Sequence, residues 1–377
     1  MPPSARIIRI GRIGALVGLA LAVAVAPHVA WWFAPARALG VVLVDKTVPF
    51  RNYREHAAIA WLLHALKIHQ KTGGFLDPAR DYLGFDPATK TGRDLTPEDL
   101  ATADVLVVAD TYGAYTGDYT HPGEQAALER SPKIYGGLSV AEAFAIEAFA
   151  AKGGMVLAEF NTFASPTSAA ARSRLEQLFG VRWTRWVARY WPDLQDANEV
   201  PRWVGATYER VYGAPFDLTG AGLVFVHEDG DIVVLREKVD LDGDVLTQDR
   251  TSTGAEFGFP ERGQFWYWID VLDAAGSDVL YEHVVHTTAA GQAKLEGHGL
   301  RLRFPAVTRR GEAYYFAGDF VDNAMELGNP ERAWLLGYRQ ARATGGCGGG
   351  GRDESFFWGF YAPIVSRLLS SRARLER

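Results

Sequence analysis

Three carboxylates fall where apolar runs stop. Val41-Val42-Leu43-Val44 ends on Asp45, Val105-Leu106-Val107-Val108-Ala109 on Asp110, and Met155-Val156-Leu157-Ala158 on Glu159. Each acid can pass a proton or hold a cation through oxygen. Polar partners follow each one. After Asp45 come Lys46-Thr47-Val48-Pro49 and Tyr53-Arg54-Glu55-His56; after Asp110, Thr111-Tyr112-Gly113-Ala114-Tyr115; after Glu159, Phe160-Asn161-Thr162-Phe163. His56 has the chemistry of a general base or of a donor to a substrate oxygen. Tyr112 and Tyr115 suit a sugar ring, by stacking or by hydrogen bonding. Asn161 beside a carboxylate suits a substrate hydroxyl or an attacking water.

The candidate catalytic residues are therefore Asp45, His56 and Glu159. Lys46, Asp110, Thr111, Tyr112 and Asn161 are candidate ligand-binding residues. Arg189, in Arg189-Tyr190-Trp191, would border a cleft. Two of the acids would serve as an acid/base pair, as in glycoside hydrolysis. Alternatively, the three would hold a hard divalent cation through oxygen. Without a metal, their mutual repulsion raises at least one pKa. A structural reading stands beside these. In it Asp45 caps its loop, Arg54 and Glu55 are solvated, and His56 is a half-buried, hydrogen-bonded histidine.

The elements that must position these groups are strands and helices in alternation. Uninterrupted apolar runs separated by helical stretches read as buried parallel strands. In such a sheet ligands bind beyond the carboxyl ends of the strands. Tyr53 to Ile68 carries Ile59, Leu62, Leu63 and Leu66 on one helical face. Ser139-Val140-Ala141-Glu142 fits a capping box opening a helix to Ala151, and 168–179 is a further amphipathic helix. Gly73 to Asp99 is turn-rich and reads as a surface excursion. Residues 222–237 and 265–285 are β-like, and Ala313-Tyr314-Tyr315-Phe316-Ala317 is a last strand. Phe356 to Leu369 reads as a helix packed on the domain or lying on the membrane surface, and packing is the favoured reading.

Weaker signals have simpler readings. Gly137-Leu138-Ser139-Val140-Ala141 loosely resembles a nucleophile elbow, but no clear strand precedes it and Ser139 is already a cap. Asp240-Leu241-Asp242-Gly243-Asp244 lacks the glycine and glutamate of an EF-hand, because Val245 and Thr251 stand at those places, and reads as a hairpin turn.

The chain has 377 residues and a formal net charge of −6, so a broad basic surface and nucleic-acid binding are not expected. The single cysteine, Cys347, excludes an internal disulfide and a multi-cysteine zinc site. It lies in the flexible run Gly345-Gly346-Cys347-Gly348-Gly349, a poor setting for a catalytic thiol. At the other end Arg6, Arg9 and Arg12 precede an uncharged stretch from Ile13 to Pro35, long enough to cross a bilayer. Basic residues before it favour a cytoplasmic N-terminus, and Trp31, Trp32 and Phe33 sit where an interfacial aromatic belt would. Pro27 directly after Ala24-Val25-Ala26 argues against signal cleavage. The expected organisation is a cytoplasmic tip and transmembrane anchor over 1–36, an extracytoplasmic α/β domain over 37–325 with a β-rich insertion around 200–300, and a Gly-rich loop and helix over 326–377. The expected partners are the inner or plasma membrane and an envelope glycan or protein.

The order of these elements resembles the class I glutamine amidotransferase-like superfamily, across roughly residues 40 to 325. The strand with Asp45, the strands ending in Asp110-Thr111-Tyr112 and Glu159-Phe160-Asn161, and the late Gly311-Glu312-Ala313-Tyr314-Tyr315-Phe316-Ala317-Gly318-Asp319 carry the likeness. The late motif is similar to the closing strand of members attached to carbohydrate-active enzymes, and it adds Asp319 to the candidate ligand-binding residues. The Asp-Lys-Thr-Val-Pro and Tyr-Arg-Glu-His segments also look like a group of membrane-anchored bacterial envelope proteins. The resemblance implies a flavodoxin-like open parallel sheet. Amidotransferases of the family use an elbow cysteine, and this chain has none between residues 40 and 325. Glutamine hydrolysis by that route is therefore excluded. What is left is either a binding domain or a hydrolase acting on a glycan through Asp45, His56, Asp110 and Glu159.

Overall fold

The computed structural model describes residues 18–19, 21–120, 131–322, 327–344 and 352–375. The basic tip with Arg6, Arg9 and Arg12, the start of the apolar stretch, and the glycine run around Cys347 lie outside the described residues.

The first large element is strand β1 (Val41–Asp45), followed by helix α1 (Arg54–Ala65), β2 (Leu83–Asp86), β3 (Val105–Val108), α2 (Val140–Ala151), β4 (Met155–Ala158) and α3 (Ala169–Phe179). Then come β5 (Val181–Trp191), β6 (Gly222–His227), β7 (Ile232–Arg236), β8 (Leu241–Arg250), β9 (Ile269–Ala274), β10 (Asp278–Thr287), β11 (Arg303–Arg310) and β12 (Ala313–Phe316). Towards the C-terminus lie α4 (Leu335–Thr344) and α5 (Ala362–Arg372), the latter entered through a short helix over Arg352–Phe356 and a π-helical turn over Phe357–Tyr361. The main sheet runs β8-β10-β11-β12-β4-β3-β1-β2, with a two-residue strand at each edge. From β12 to β2 the pairings are parallel, and from β8 to β12 antiparallel. A smaller antiparallel sheet, β7-β6-β5-β9, lies beside it. The fold is mixed α/β. Its β-rich portion is partly a continuation of the main sheet, in β8, β10 and β11, and partly this second sheet.

Residue alternation explains why the parallel strands are apolar throughout. Leu43, Val105, Val107 and Leu157 face one core with Ile59, Leu62, Ile364 and Leu369. Val44, Leu106, Val108 and Val156 face the other, with Ile146, Phe149, Leu175 and Phe179. Helices cover both faces, as buried parallel strands require. The segment from Phe356 is deeply packed, with Phe357, Trp358, Phe360 and Tyr361 all buried.

Local chemistry sets the helix starts. Ser139 and Glu142 form the expected capping box. Ser168 accepts from Ala171, and Gly180 closes α3 in the left-handed conformation at φ 64°. α1 starts without a side-chain cap, from Tyr53 at φ 53°.

Residues 21–33 are helical, and Leu21, Val23, Val25, Val29, Trp32 and Phe33 are exposed on them. Among the described residues, no helix is long and apolar enough to cross a membrane. Pro27 and Trp31, one turn apart, are buried against the domain. Trp31 was expected in an aromatic belt; it instead packs with His64 and Phe75 and donates from Nε1 to the Ala65 carbonyl at 3.3 Å. The Lys67 ammonium donates to the carbonyls of Trp31, Trp32 and Ala34 at 3.2, 2.5 and 2.7 Å. A cation there satisfies the orphan carbonyls of a helix end and matches its dipole.

Candidate functional site

The register brings the strand-end acids together. Val44, Val108 and Ala158 are aligned across β1, β3 and β4. Asp45, Asp110 and Glu159 therefore stand side by side at one edge, and all three are buried.

Asp45 faces inward to α1. One carboxylate oxygen accepts from the Thr47 amide at 2.9 Å, and the other meets His56 Nδ1 at 2.6 Å. His56 Nε2 lies 2.7 Å from the Pro78 carbonyl. The Pro78 carbonyl can only accept, so Nε2 donates to it, and Nδ1 is engaged by Asp45. No lone pair is left to take a proton from a substrate. Tyr82 packs on the ring at 4.8 Å. Asp45 does cap its loop. His56 is fully buried rather than half-buried, because α1 presses it against the 77–82 turn.

Asp110 gathers the second loop. Its Oδ1 accepts from the Tyr112 amide at 2.7 Å and from Asn161 Nδ2 at 3.3 Å. Thr111 Oγ1 donates to the Asn161 carbonyl at 2.9 Å, and Thr47 Oγ1 accepts from the Gly113 amide at 2.8 Å. Burial pushes the Asp110 carboxyl up to about 7, and Asp45 adds to the rise. Asn161 takes φ 67°, a left-handed turn directly after β4. Tyr112 is 46% exposed, and its ring lies tilted against that of Tyr115, with centres 4.7 Å apart.

Glu159 is closed off by distant chain. Tyr361, from the C-terminal segment, donates its hydroxyl to Oε1, and the Val321 amide donates to Oε2 at 3.1 Å. Burial raises its carboxyl to about 8 despite these donors.

Three further acids complete the edge. Asp319 sits next to Glu159 and Asp110, and Glu55 and Asp322 lie beside it. Asp319 is raised well above the ordinary range by burial, then by Asp322, Asp110, Glu159 and Glu55. Glu55 is raised by burial, then by Asp45 and Asp322. Glu55 Oε2 and Asp319 Oδ1 are buried with no hydrogen-bond partner. Arg54 pairs with Asp322 at 2.9 Å. Burial works against its charge, and Asp322, Tyr267 and Glu55 more than offset that, so its pKa is raised. Arg54 is half-buried and Glu55 buried, which departs from the solvated pair that the structural reading of the sequence expected. An alternation of polar residues at a helix start carries no sign of which side the acid faces.

Two candidates lie to the side. The buried Lys46 ammonium is held by Glu142 at 2.8 Å, Asp94 at 2.9 Å and the Gly137 carbonyl at 2.9 Å. Its donors are spent inside the fold, anchoring the loop before α2. Arg189 pairs with Glu199 at 2.7 Å, with its guanidinium 4.3 Å from the Tyr267 ring centre. Tyr267 in turn feels Asp322, Asp319 and Arg54, which puts Arg189 at the flank of the acid edge. Tyr267 and Tyr361 have no signal in the sequence beyond lying in aromatic-rich segments.

Among the described residues, no three histidines, cysteines or acids converge to hold a metal ion. The oxygens of Asp45 and Glu159 face amides, a hydroxyl and an imidazole, and Oδ1 of Asp110 faces an amide and Asn161, whereas Glu55 Oε2 and Asp319 Oδ1 have no such partner. Two surface hollows, of about 550 and 610 Å³, lie elsewhere. One is lined by Phe259, Leu336 and Pro363, the other by Ala150, Gln177 and Gly311.

No protein-family model matches the chain, and no curated protein matches it. Several solved structures are similar. One is a glutamine amidotransferase of Thermotoga maritima, 10% identical, with a TM-score of 0.38 over 88% of this chain and 98% of that one. A ThuA-like protein of Bacteroides uniformis is 10% identical, with a TM-score of 0.36 over 85% and 96%. A β-galactosidase of Bacillus circulans sp. alkalophilus is 12% identical, with a TM-score of 0.33 over 75% of this chain but 30% of that one. At these scores the likenesses carry no conclusion about chemistry.

Proposed function

We propose that this chain is a membrane-anchored, extracytoplasmic α/β domain that binds an envelope glycan at its strand-end edge and does not hydrolyse it. The observation that carries this reading is the state of the acid and base. Glu159 is covered by Tyr361 and the Val321 amide, and His56 has both nitrogens engaged. What the edge offers to solvent is Tyr112, its ring tilted against Tyr115, an aromatic side chain of the kind that packs on a sugar ring. The anchor rests on the exposed apolar helix over 21–33, on the uncharged residues before it, and on Arg6, Arg9 and Arg12 beyond them.

A second reading, a glycan hydrolase, draws on one observation. Glu159 at about 8 and Asp110 at about 7 hold protons near neutral pH, as a general acid must.

The test uses the full chain in lipid nanodiscs with soluble envelope polysaccharide fragments. Wild type and Glu159→Gln should retain the fragments uncleaved, and Tyr112→Ala should lose them. Shortened products made by wild type alone would replace binding with hydrolysis. Absence of retention by wild type would remove glycans and leave an envelope protein as the partner.

A further inference from the structure

We propose that the base of this domain, the surface formed by Trp32, Phe33, Trp334 and Tyr338 around Pro27, is immersed in the interfacial layer of the bilayer. The inference rests on the membrane-anchor reading above and adds a lipid-binding surface on the folded domain itself.

The argument starts from where the apolar helix stops being free. Residues 21–26 are exposed, whereas Pro27 is buried and its carbonyl accepts from the Ala333 amide at 3.1 Å. Trp31, one turn on, is buried too, and Lys67 holds the helix end. The domain therefore begins at Pro27, although the uncharged stretch continues to Pro35. The uncharged residues before that contact, 13–26, would rise about 21 Å as a helix. The hydrocarbon layer is about 30 Å thick. The docked part of the helix, residues 27–33, would supply the missing length with the domain surface level with it inside the membrane boundary, and snorkelling of Arg12 and Arg9 would make up the rest.

The composition of that surface agrees. The segment that touches Pro27 continues into Trp334 and Tyr338, which are 50% and 58% exposed, and no residue of α4 is buried. On the helix itself Trp32 and Phe33 are exposed. Aromatic side chains of this kind collect at the headgroup level, where one end is apolar and the other wet. The exposed Arg332, next to them, suits lipid phosphates. Four large exposed aromatics on two segments that meet at Pro27 are costly in water and are accommodated by a membrane interface.

The test reads the depth of single labels in the full chain. In a Cys347→Ser background, Val25→Cys, Trp334→Cys, Tyr338→Cys and Asn52→Cys each carry an environment-sensitive fluorophore. The chain is reconstituted in phosphatidylcholine/phosphatidylglycerol vesicles with bromines placed deep or shallow in the acyl chains. All four positions are exposed, so the fold tolerates the labels. Loss of emission with deep bromines is expected at Val25, and with shallow bromines at Trp334 and Tyr338. Asn52, at the strand-end edge, should respond only to aqueous iodide. If Val25 is quenched by lipid while Trp334 and Tyr338 respond only to iodide, the immersed base is overturned and the anchor stands. If Val25 also responds only to iodide, both readings fall.

Discussion

Tyr361 donates its hydroxyl to Glu159 across 202 residues of sequence, from the C-terminal helical segment to the end of the central strand β4. The bond ties the tail of the chain to the acid edge. Removing it leaves Glu159 buried with backbone amides as its donors. Tyr361→Phe should cost about 1–3 kcal/mol, the range for a buried acceptor that loses a donor. Denaturant unfolding would measure it. A cycle with Glu159→Leu, which removes the acceptor, should show coupling between the two sites, and simple additivity would mean that the hydroxyl acts only through packing.

Glu159 also makes stability depend on pH. Its carboxyl holds its proton up to about 8 in the folded chain, against an ordinary 4.5. Below 4.5 both folded and unfolded chains are protonated and nothing is lost. Between 4.5 and about 8 the unfolded chain releases the proton and the folded chain keeps it, so stability falls as pH rises. Glu159→Gln has no such proton. Its advantage in melting temperature over wild type should grow from pH 5 to 8 and level off above. Asp110 and Asp270, both raised by burial to about 7, add slopes of the same sign. A difference that stays constant from pH 5 to 9 would contradict the buried, protonated Glu159.

Lys46 is a structural cation. Glu142, its closest partner, is 1% exposed, whereas Asp94 is largely open to water. Lys46→Met should destabilise by about 3–5 kcal/mol, because it strands a buried carboxylate. Lys46→Met combined with Glu142→Gln should recover most of the loss. Chemical denaturation of the three variants decides this, and a double variant as unstable as the single one would show that the ammonium's contact with the Gly137 carbonyl dominates.

Asn161 turns the chain after β4 at φ 67°. Its side chain bonds Asp110, and its backbone is in the left-handed region that side chains with Cβ resist. Asn161→Gly and Asn161→Ala both lose the bond to Asp110, but only glycine relieves the backbone. The glycine variant should be more stable than the alanine variant by about 1 kcal/mol. Equal melting temperatures would mean that the turn relaxes when Asn161 is replaced.

The three strands that carry Asp45, Asp110 and Glu159, the capping box at Ser139, and the helix after Ser168 are all legible in the chain, because each depends on residues a few positions apart. Adjacency of the strands is not, since pairing of Leu43 with Val107 and of Val107 with Leu157 depends on the whole sheet. The state of the acids is harder still. Whether Glu159 is open or sealed is decided by Tyr361 and Val321, and whether His56 is a base is decided by a carbonyl at Pro78. No local pattern announces a hydroxyl 202 residues away. Glu55 shows the same limit, since its neighbours in sequence are those of a solvated helix start. Lys46 reads as a ligand-facing cation next to a strand end, yet the path of the 94–142 chain takes its charge inward.

The clamp of Lys67 on the carbonyls of Trp31, Trp32 and Ala34 has a mechanical result. A domain mounted as proposed has no swivel between anchor and first strand. β1 follows the helix after residues 34–40 and extends about 13 Å from Val41 to Asp45. With the anchor as proposed, the strand-end edge is held at a fixed height, and it turns only as the anchor turns. Its search for a ligand is two-dimensional, over one thin slab of the envelope, and a ligand tethered above or below that slab would not be met at all.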